Sequence, residues 1–384
     1  MSTMERILKL MQEKKASDVY LSANAPALIR INGLCVPVNS QLLQADAPRS
    51  LLAEIVPPEK ITELEATGEL NMAVSVPGVG RFRVSAMRQR GSYSIVVRYI
   101  NVEVPLLSSL RVPAILGDLV MQKRGLLLMV GSTGAGKTTT QAAMIDHRNQ
   151  RAGGHILTIE DPIEYLYKNK RSIVNQREIG TDTASLEVAL KNALRQAPDV
   201  ILIGEIRDRE TMSAAIAYAQ TGHLCMATLH ANNSYQALNR IVNFYPVEVR
   251  ATMQSDLAVA LNAIVSQRLL RTPSGERVPA VEIMLNTLLV ADMIEKGDIG
   301  GIKEAMEKSL AEGSQTFESD IARMITEGLI DRKEGLANAD SATNLMWRLQ
   351  NDFARASQKA EVAVLQAEAD DEPSFTDFTL DVRP

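Results

Sequence analysis

The residues best suited to chemistry form one glycine-rich stretch, Gly131–Thr138, read GSTGAGKT. The stretch matches G-x-x-x-x-G-K-[ST], in which the glycines let successive backbone N–H groups point at a polyphosphate. In such a loop the Lys137 ammonium reaches the β- and γ-phosphates, and the Thr138 hydroxyl contacts Mg²⁺. The loop needs a buried strand before it and a helix after it, and Leu126–Val130 and Lys137–Gln150 have those patterns.

This motif predicts nucleotide binding, with ATP and Mg²⁺ as the expected ligands. The alternative is a chance match in a turn that happens to contain glycine. The predicted nucleotide-binding residues are Gly131, Ser132, Thr133, Gly134, Ala135, Gly136, Lys137, Thr138 and Thr139.

Hydrolysis also needs a carboxylate near the metal ion and another that positions or activates water. Two acidic segments end apolar runs, which is where an open α/β sheet places its ligands. The first, HILTIEDPIE, offers Glu160, Asp161 and Glu164. In the second, DVILIGEIRD, we predict that Glu205 binds the metal ion together with Thr138. The alternative for Glu205 is a capping acid at a strand end.

Two histidines, His223 and His230, bracket an apolar strand in TGHLCMATLHA. Such a pair most often has a structural role. Seven residues of extended chain span ~23 Å, so the two side chains cannot share one metal ion. Because they accompany a phosphate-binding loop, we favour a polar sensor of the γ-phosphate.

The secondary-structure pattern divides the chain into two domains. Residues 1–103 predict a small α+β domain, and residues 112–350 predict alternating strands and helices around a parallel sheet. Residues 104–111, with a proline, predict a linker. The acidic residues 351–384 predict a disordered tail. The predicted fold class is therefore α/β, with a smaller α+β domain at the N-terminus.

Local signals support this division. An amphipathic helix is predicted over Met4–Glu13, a hairpin turn at Asn32-Gly33, and a break between two helices at Pro57-Pro58. Helix N-caps are predicted at Ser185 and at Asp208 or its neighbour. Beyond Pro246 the pattern predicts a mostly helical region.

Composition argues against several classes of protein. The net charge of −5 gives no reason to expect nucleic acid as the main partner. The two cysteines, Cys35 and Cys225, lie far apart, which argues against a disulfide framework or a structural zinc site. No apolar run approaches the ~18–20 residues that span a bilayer. We expect a cytoplasmic protein that reaches the inner membrane only through a partner.

The glycine-rich loop, the two acidic segments and the histidine segment occur in the order found in secretion and type IV pilus ATPases, which the chain resembles. The N-terminal KASDVYLSANAPALIRINGLCVPV and RFRVS also resemble the PilT/PilU family of twitching-motility retraction ATPases. The resemblance covers residues 3–350. It implies a hexameric ring whose subunits each combine a PAS-like N-terminal domain with a RecA-like P-loop ATPase domain.

The resemblance also implies roles for particular residues. It makes Glu164 the catalytic glutamate, Glu205 the Walker B glutamate, and His223 and His230 the pair of the family's histidine box. The sequence alone leaves the other two acids of the first segment in competition with Glu164.

Two arginines of the N-terminal domain, Arg83 and Arg98, match arginines that the family offers to bound phosphate. A guanidinium suits this role because it is planar and permanently charged. The alternative is a solvated charge at a strand edge, and Arg81 or Arg90 could substitute for either.

Two departures from the family's pattern indicate its accessory, PilU-like branch. Leu285-Asn286-Thr287 is followed by Leu288–Lys296, where Ala291 and Glu295 replace arginines of PilT-like chains. The acidic tail after Trp347 also exceeds a minimal PilT-like chain. The four-cysteine zinc element of extension and export ATPases is missing from this sequence.

The expected function is therefore ATP hydrolysis by a homo-hexamer at the base of a type IV pilus, powering or assisting retraction. Expected partners are a PilT-like retraction ATPase and the inner-membrane platform protein of the pilus. The alternatives are a scaffold or adaptor ring with a regulatory nucleotide site, another export ATPase, or a nucleic-acid motor. The negative charge and the lack of a basic, aromatic stripe argue against the last.

Overall fold

Two β-sheets organise the chain, one in its N-terminal part and one in the remainder. The predicted hairpin residue Asn32 and the predicted tail beyond residue 351 lie outside the described residues. The computed structural model describes residues 1–31, 33–100, 103–308 and 311–351.

The N-terminal sheet has six antiparallel strands. They are β1 Asp18–Ser22, β2 Pro26–Ile31, β3 Leu34–Leu42, β4 Glu69–Val76, β5 Gly80–Gln89 and β6 Ser92–Ile100. Their spatial order is β3-β2-β1-β6-β5-β4. Three helices pack on one face of the sheet: α1 Thr3–Glu13, α2 Ala47–Ala53 and α3 Pro58–Thr67. The other face is therefore free to carry polar side chains.

The predicted N-terminal helices are confirmed. Helix α1 begins at a capping box, in which the Ser2 hydroxyl accepts from the Glu5 amide and the Glu5 carboxylate accepts from the Ser2 amide. The break at Pro57-Pro58 separates α2 from α3, since proline fits the first turn of a helix and not its interior. The segment that follows the sheet contains a 3-10 turn over Leu107–Ser109.

The second sheet has seven strands. They are β7 Gly125–Val130, β8 Gly154–Glu160, β9 Ser172–Glu178, β10 Val200–Ile203, β11 Leu224–Leu229, β12 Leu261–Arg271 and β13 Arg277–Leu285. The spatial order is β13-β12-β7-β11-β10-β8-β9. Neighbours are parallel except for β12 and β13, which are antiparallel. The chain is thus α/β, with an antiparallel N-terminal sheet and a mixed, mainly parallel second sheet.

Helices lie on both faces of the second sheet and in a C-terminal group. They are α4 Ile115–Met121, α5 Lys137–Arg151, α6 Leu186–Ala193, α7 Arg209–Gln220, α8 Ser234–Asn243, α9 Val247–Ala260, α10 Leu288–Lys296, α11 Ile302–Glu307, α12 Phe317–Thr326 and α13 Arg332–Asn338, and residues 342–351 are also helical. The predicted caps at Ser185 and Asp208 are confirmed, because both side chains accept a backbone N–H of the first turn.

Strand β7 shows why this sheet is buried on both faces. Leu126, Leu128 and Val130 pack against α6, α7 and α9 on one side. Leu127 and Met129 point the other way and pack against α4 and α5. All five side chains are fully buried, and burial of each such side chain contributes roughly 1.5–3 kcal/mol.

This topology positions the candidate chemistry. Because β7, β8, β10 and β11 are parallel, their carboxyl ends meet at one edge of the sheet, where α/β folds bind ligands. Gly131, Glu160, Glu205 and His230 lie at or just after these ends.

The prediction of a mostly helical region after Pro246 is wrong in part, since β12 and β13 form a long hairpin there. The pairing runs from Ala263 opposite Leu285 to Arg271 opposite Arg277, across the turn TPSGE. The composition of this turn is the feature of the sequence that indicates a hairpin. The segment forms strands because β12 pairs with β7 through backbone hydrogen bonds, which outweigh its local preference for helix. Strand β9 was also not predicted. Within the described residues, no helix combines the length and apolar composition needed to cross a membrane.

Candidate functional site

A cavity of about 900 Å³ lies between the open face of the N-terminal sheet and the carboxyl edge of the second sheet. It gathers most of the residues predicted from the sequence. Those that line it are Arg83, Arg98, Thr133, Gly134, Ala135, Gly136, Lys137, Thr138, Thr139, Glu160, Asp161, Glu164, Glu205 and His230. Gly131 and Ser132 line an adjoining cleft of about 580 Å³, which His230 also reaches.

Three glycines of the glycine-rich loop, Gly131, Gly134 and Gly136, have positive φ, and at two of them a Cβ would also clash with a neighbour. Gly136 has φ +85° directly before α5, and a Cβ there would lie 2.7 Å from Gln267 Nε2. A Cβ on Gly131, at φ +150°, would lie 2.5 Å from the Gln267 carbonyl oxygen. These short distances show that β12 packs directly against the backbone of the loop and leaves no room for a side chain at Gly131 or Gly136.

Lys137 is held inside the loop. Its ammonium donates to the carbonyl oxygens of Gly131 at 2.7 Å and Ser132 at 2.9 Å. Burial lowers the pKa of Lys137, and the nearby Glu205 carboxylate opposes that shift. Phosphate oxygens could replace the two carbonyls as acceptors without moving the lysine backbone. Thr138 is exposed to the cavity, and the Thr139 hydroxyl lies 2.9 Å from that of Tyr165.

Gln267 holds the loop in place, although no motif in the sequence points to this residue. Its Nε2 donates to the Ala135 carbonyl and its Oε1 accepts from the Thr140 hydroxyl, both at 2.8 Å. The side chain is 2% exposed. One residue of β12 therefore bridges the loop and the first turn of α5.

Replacing Gln267 with methionine should lower the free energy of unfolding by about 2–4 kcal/mol, since the Ala135 carbonyl and the Thr140 hydroxyl lose buried partners. Chemical denaturation at fixed protein concentration measures the change. Gln141→Met is the matched control, because Gln141 is equally buried and its Nε2 has no partner among the described residues. An equal loss from both variants would contradict the fastening role.

The first acidic segment separates its carboxylates by burial. Glu160 is 8% exposed and accepts from Thr158 Oγ1 at 2.6 Å and Gln176 Nε2 at 3.1 Å. Burial raises the pKa of Glu160, while these two donors oppose the shift. Glu164 and Asp161 are instead exposed and line the cavity, so burial alone does not choose between these two. The arrangement favours Glu164 over Glu160 as the group that can reach a water molecule beside a phosphate.

Glu205, Arg207 and His230 form a second polar group at the end of β10 and β11. Arg207 donates to Glu205 Oε2 through Nε at 2.8 Å and Nη2 at 2.7 Å. His230 Nε2 lies 3.3 Å from Glu205 Oε1. Burial and the Lys137 charge lower the pKa of His230, against the pull of the Glu205 carboxylate.

His223 does not join this group within one chain, and its catalytic role stays a prediction. It precedes Leu224, at the amino end of β11, and its carbonyl accepts from the Gly125 amide at the amino end of β7. Its Nδ1 contacts the Tyr218 carbonyl and the Thr221 hydroxyl, each at 3.2 Å. A strand places its two ends at opposite edges of a sheet, so only His230 faces the cavity.

The N-terminal sheet carries a cross-strand row of charges, of which Arg83 and Arg98 line the cavity. Arg30, Asp18, Arg98 and Arg83 lie side by side on β2, β1, β6 and β5. Asp18 is 2% exposed and accepts from Arg98 Nε at 2.8 Å. Arg98 remains 61% exposed, so its terminal nitrogens stay available for an anion.

Arg81 and Arg90, the alternatives to Arg83 and Arg98 as phosphate-binding arginines, lie elsewhere. Arg81 forms an ion pair with Glu178 of the second sheet, with Nη2 2.5 Å from Oε2. Arg90 lies in the turn between β5 and β6 and is not among the described residues that line the cavity. Neither therefore takes the place of Arg83 or Arg98 at the cavity.

Comparisons with known proteins agree with this geometry. The Type II/IV secretion system protein family matches residues 2–332. The chain is 46% identical over 342 residues to the type IV pilus ATPase PilU of Pseudomonas aeruginosa, covering 89% of this chain and 90% of that protein. It is 36% identical over 338 residues to the retraction ATPase PilT of the same organism, covering 88% and 98%. A crystal structure of the pilus retraction motor PilT with bound ADP matches with a TM-score of 0.84 at 36% identity, covering 90% and 98%.

The family match spans most of the chain, and the relatives are covered over nearly their whole length. The predicted resemblance is thereby confirmed, and the solved relative holds an adenine nucleotide. The chain belongs to the Type II/IV secretion system protein family, as an ATP-hydrolysing enzyme similar to the type IV pilus ATPases PilU and PilT.

Proposed function

We propose that this protein is a Mg²⁺-dependent ATPase that works as a homo-hexameric ring at the base of a type IV pilus, where it assists retraction by a PilT-like ATPase. The observation that carries the proposal is the 46% identity to PilU over 89% of the chain. Residues 1–103 would form a PAS-like domain, 104–111 a linker, and 112–350 a RecA-like ATPase domain. The residues after 350 would be a disordered tail.

ATP would bind in the cavity between the two sheets, with its phosphates in the loop over residues 131–139. Arg83 and Arg98 approach the same space from the N-terminal sheet. A nucleotide held from both sides would couple hydrolysis to rotation of one domain against the other, with the segment around Pro105 as the hinge. Adjacent subunits of the ring would complete the site.

Thr138 and Glu205 fit a magnesium ion by their donor chemistry. Hydroxyl and carboxylate oxygens are hard ligands, and both side chains line the cavity. Magnesium takes few protein ligands and keeps water and phosphate oxygens for the rest of its shell. When bound, it would supply positive charge beside the β- and γ-phosphates.

The chain's own residues would perform the remaining work. Lys137 would neutralise charge that develops on the β- and γ-phosphate oxygens. Glu164 would orient a water molecule in line with the γ-phosphate and accept its proton. His230, whose Nε2 lies 3.3 Å from Glu205 Oε1, would sense the γ-phosphate by turning its single N–H from that carboxylate to a phosphate oxygen. Arg83 and Arg98 would contact the phosphates once the domains approach.

The segment that departs from PilT-like chains lies on the surface. In α10, Leu288 is 93% exposed and Leu289 56% exposed, and no residue of this helix lines the cavity. Ala291 and Glu295 replace the two arginines on this helix. We infer that the change affects a docking surface and leaves the nucleotide site intact, as expected of an accessory motor. The protein would be cytoplasmic, held at the inner membrane through the pilus platform protein.

Pilus retraction in cells tests the proposal. We expect no retraction above background with this protein alone, retraction with a PilT-like ATPase alone, and more frequent or more forceful retraction with both. Labelled pili observed by microscopy give the event rate. The Lys137→Ala variant beside the PilT-like ATPase separates ATP hydrolysis from ring assembly: full assistance by that variant would support the scaffold or adaptor function instead. Retraction by this protein alone would overturn the accessory role.

A further inference from the structure

Glu178 joins three parts of the molecule. It ends β9, and its side chain is 3% exposed. Its Oε2 accepts from Arg81 Nη2 at 2.5 Å and from the Ile163 amide at 3.0 Å. Its Oε1 accepts from the Thr181 hydroxyl at 3.2 Å. One carboxylate oxygen therefore contacts both the N-terminal sheet and the loop that carries Glu164.

The contact with Ile163 bears directly on Glu164, the next residue. On the other side of Glu164, the Tyr165 carbonyl accepts from Gln176 Nε2 at 2.8 Å, and the Tyr165 hydroxyl contacts Thr139 at 2.9 Å. The backbone of Glu164 is thus held from both sides while its side chain is exposed to the cavity. A shift of Glu178 would move the Ile163 side of this short segment.

Arg81 brings the N-terminal sheet into the same contact. It lies two residues before Arg83 on β5, so the two side chains share one face of the sheet. Arg83 lines the cavity, whereas Arg81 is 16% exposed and bonded to Glu178. Any rotation that changes the distance of Arg83 from a nucleotide also moves Arg81 relative to Glu178.

The energetics suit a contact that opens and closes. A buried carboxylate that loses its cationic partner is destabilised, so Glu178 would shift or recruit water when Arg81 leaves. The Arg81 Nε is buried without a hydrogen-bond partner in the described residues. This unmet donor offsets part of the pair's stability, which lowers the cost of opening it.

We propose that Arg81 and Glu178 are positioning residues that couple the placement of the N-terminal sheet to the placement of Glu164. With the pair closed, the Ile163 amide is fixed and Glu164 is set for hydrolysis. With the pair open, nucleotide still binds and hydrolysis slows. The inference rests on the catalytic role proposed for Glu164.

Steady-state ATPase kinetics of the full-length ring test the coupling. Arg81→Ala should lower kcat by about 10-fold and change the Kd for ADP by less than about twofold, as expected of a residue that acts on the chemical step. Arg81→Lys should recover part of the lost kcat. Arg90→Ala is the matched control, an exposed arginine of the same sheet away from the cavity, and should match the parent protein. Arg83→Ala should instead weaken ADP binding.

Glu178→Gln supplies a second variant of similar shape that keeps an acceptor for the Ile163 amide. It should lower kcat to a similar extent, and combination with Arg81→Ala should add little, because both changes remove one interaction. Unchanged kcat in Glu178→Gln, or equal losses of kcat and ADP affinity in Arg81→Ala, would overturn the proposal.

The catalytic role of Glu164 and the coupling through Arg81 can be contradicted separately. If Glu164→Gln retains turnover, the role of Glu164 is wrong. If Glu164→Gln loses turnover, Arg81→Ala should change the residual rate by less than about twofold in that background, since it acts through Glu164. A further loss of about 10-fold in that background would instead show that Arg81 acts independently, and would overturn the coupling.

Discussion

Replacing Lys137 with alanine should abolish ATP turnover, lowering the steady-state rate of phosphate release by at least about 100-fold. Its ammonium is the buried cation of the glycine-rich loop, held by two carbonyls of that loop. Alanine leaves the phosphate charge without this partner, so the charge that develops during hydrolysis is not stabilised.

A control variant and a measurement of assembly are needed to interpret the loss of turnover. Lys123→Ala is the control, because Lys123 is exposed and lies before β7, at the opposite edge of the sheet. It should hydrolyse ATP at the parent rate. The elution volume of the Lys137→Ala protein should match the parent, which shows that assembly is intact. Turnover by the Lys137→Ala ring within about threefold of the parent would show that the assigned site is wrong.

The sequence predicts the nucleotide loop well because its signal is local. The glycines at 131 and 136, the lysine and the following threonine lie within eight residues, and each is required by geometry or charge at its own position. The carboxylates and His230 are predicted nearly as well, since they follow apolar strands whose carboxyl ends must meet in a parallel sheet.

The same reasoning separates His223 from the cavity of its own chain. A strand over residues 224–229 has one histidine before it and one after it, so only the second can face the carboxyl edge. The resemblance grouped the pair, whereas strand direction separates them. Strand direction therefore predicts that only His230 faces the cavity of its own chain, and the catalytic role of His223 stays a prediction.

Other parts of the site could not be read from local pattern. Gln267 fastens the loop from a strand more than 120 residues away, which becomes a neighbour only through the pairing of β12 with β7. Arg81 and Glu178 meet because two separate sheets pack against each other. Neither contact leaves a periodicity or spacing in the chain, because each depends on tertiary placement alone.

Replacing Glu164 with glutamine should lower kcat by about 100-fold or more while the Kd for ADP changes less than about twofold. Glutamine keeps the size of the side chain and its exposure to the cavity, but it cannot accept a proton from water, and general-base catalysis contributes about 10²–10⁴-fold. Phosphate release under saturating ATP and fluorescence titration with labelled ADP measure the two quantities separately.

Glu160→Gln is the matched comparison within the same segment. Glu160 is buried and its carboxylate accepts from Thr158 and Gln176, so it is poorly placed to contact a water molecule. Burial raises the pKa of Glu160, while its two hydrogen-bond donors oppose that shift. We therefore expect Glu160→Gln to lower kcat by less than about 10-fold. If instead Glu160→Gln loses turnover and Glu164→Gln keeps it, the base is Glu160, and the exposure of Glu164 to the cavity has another purpose.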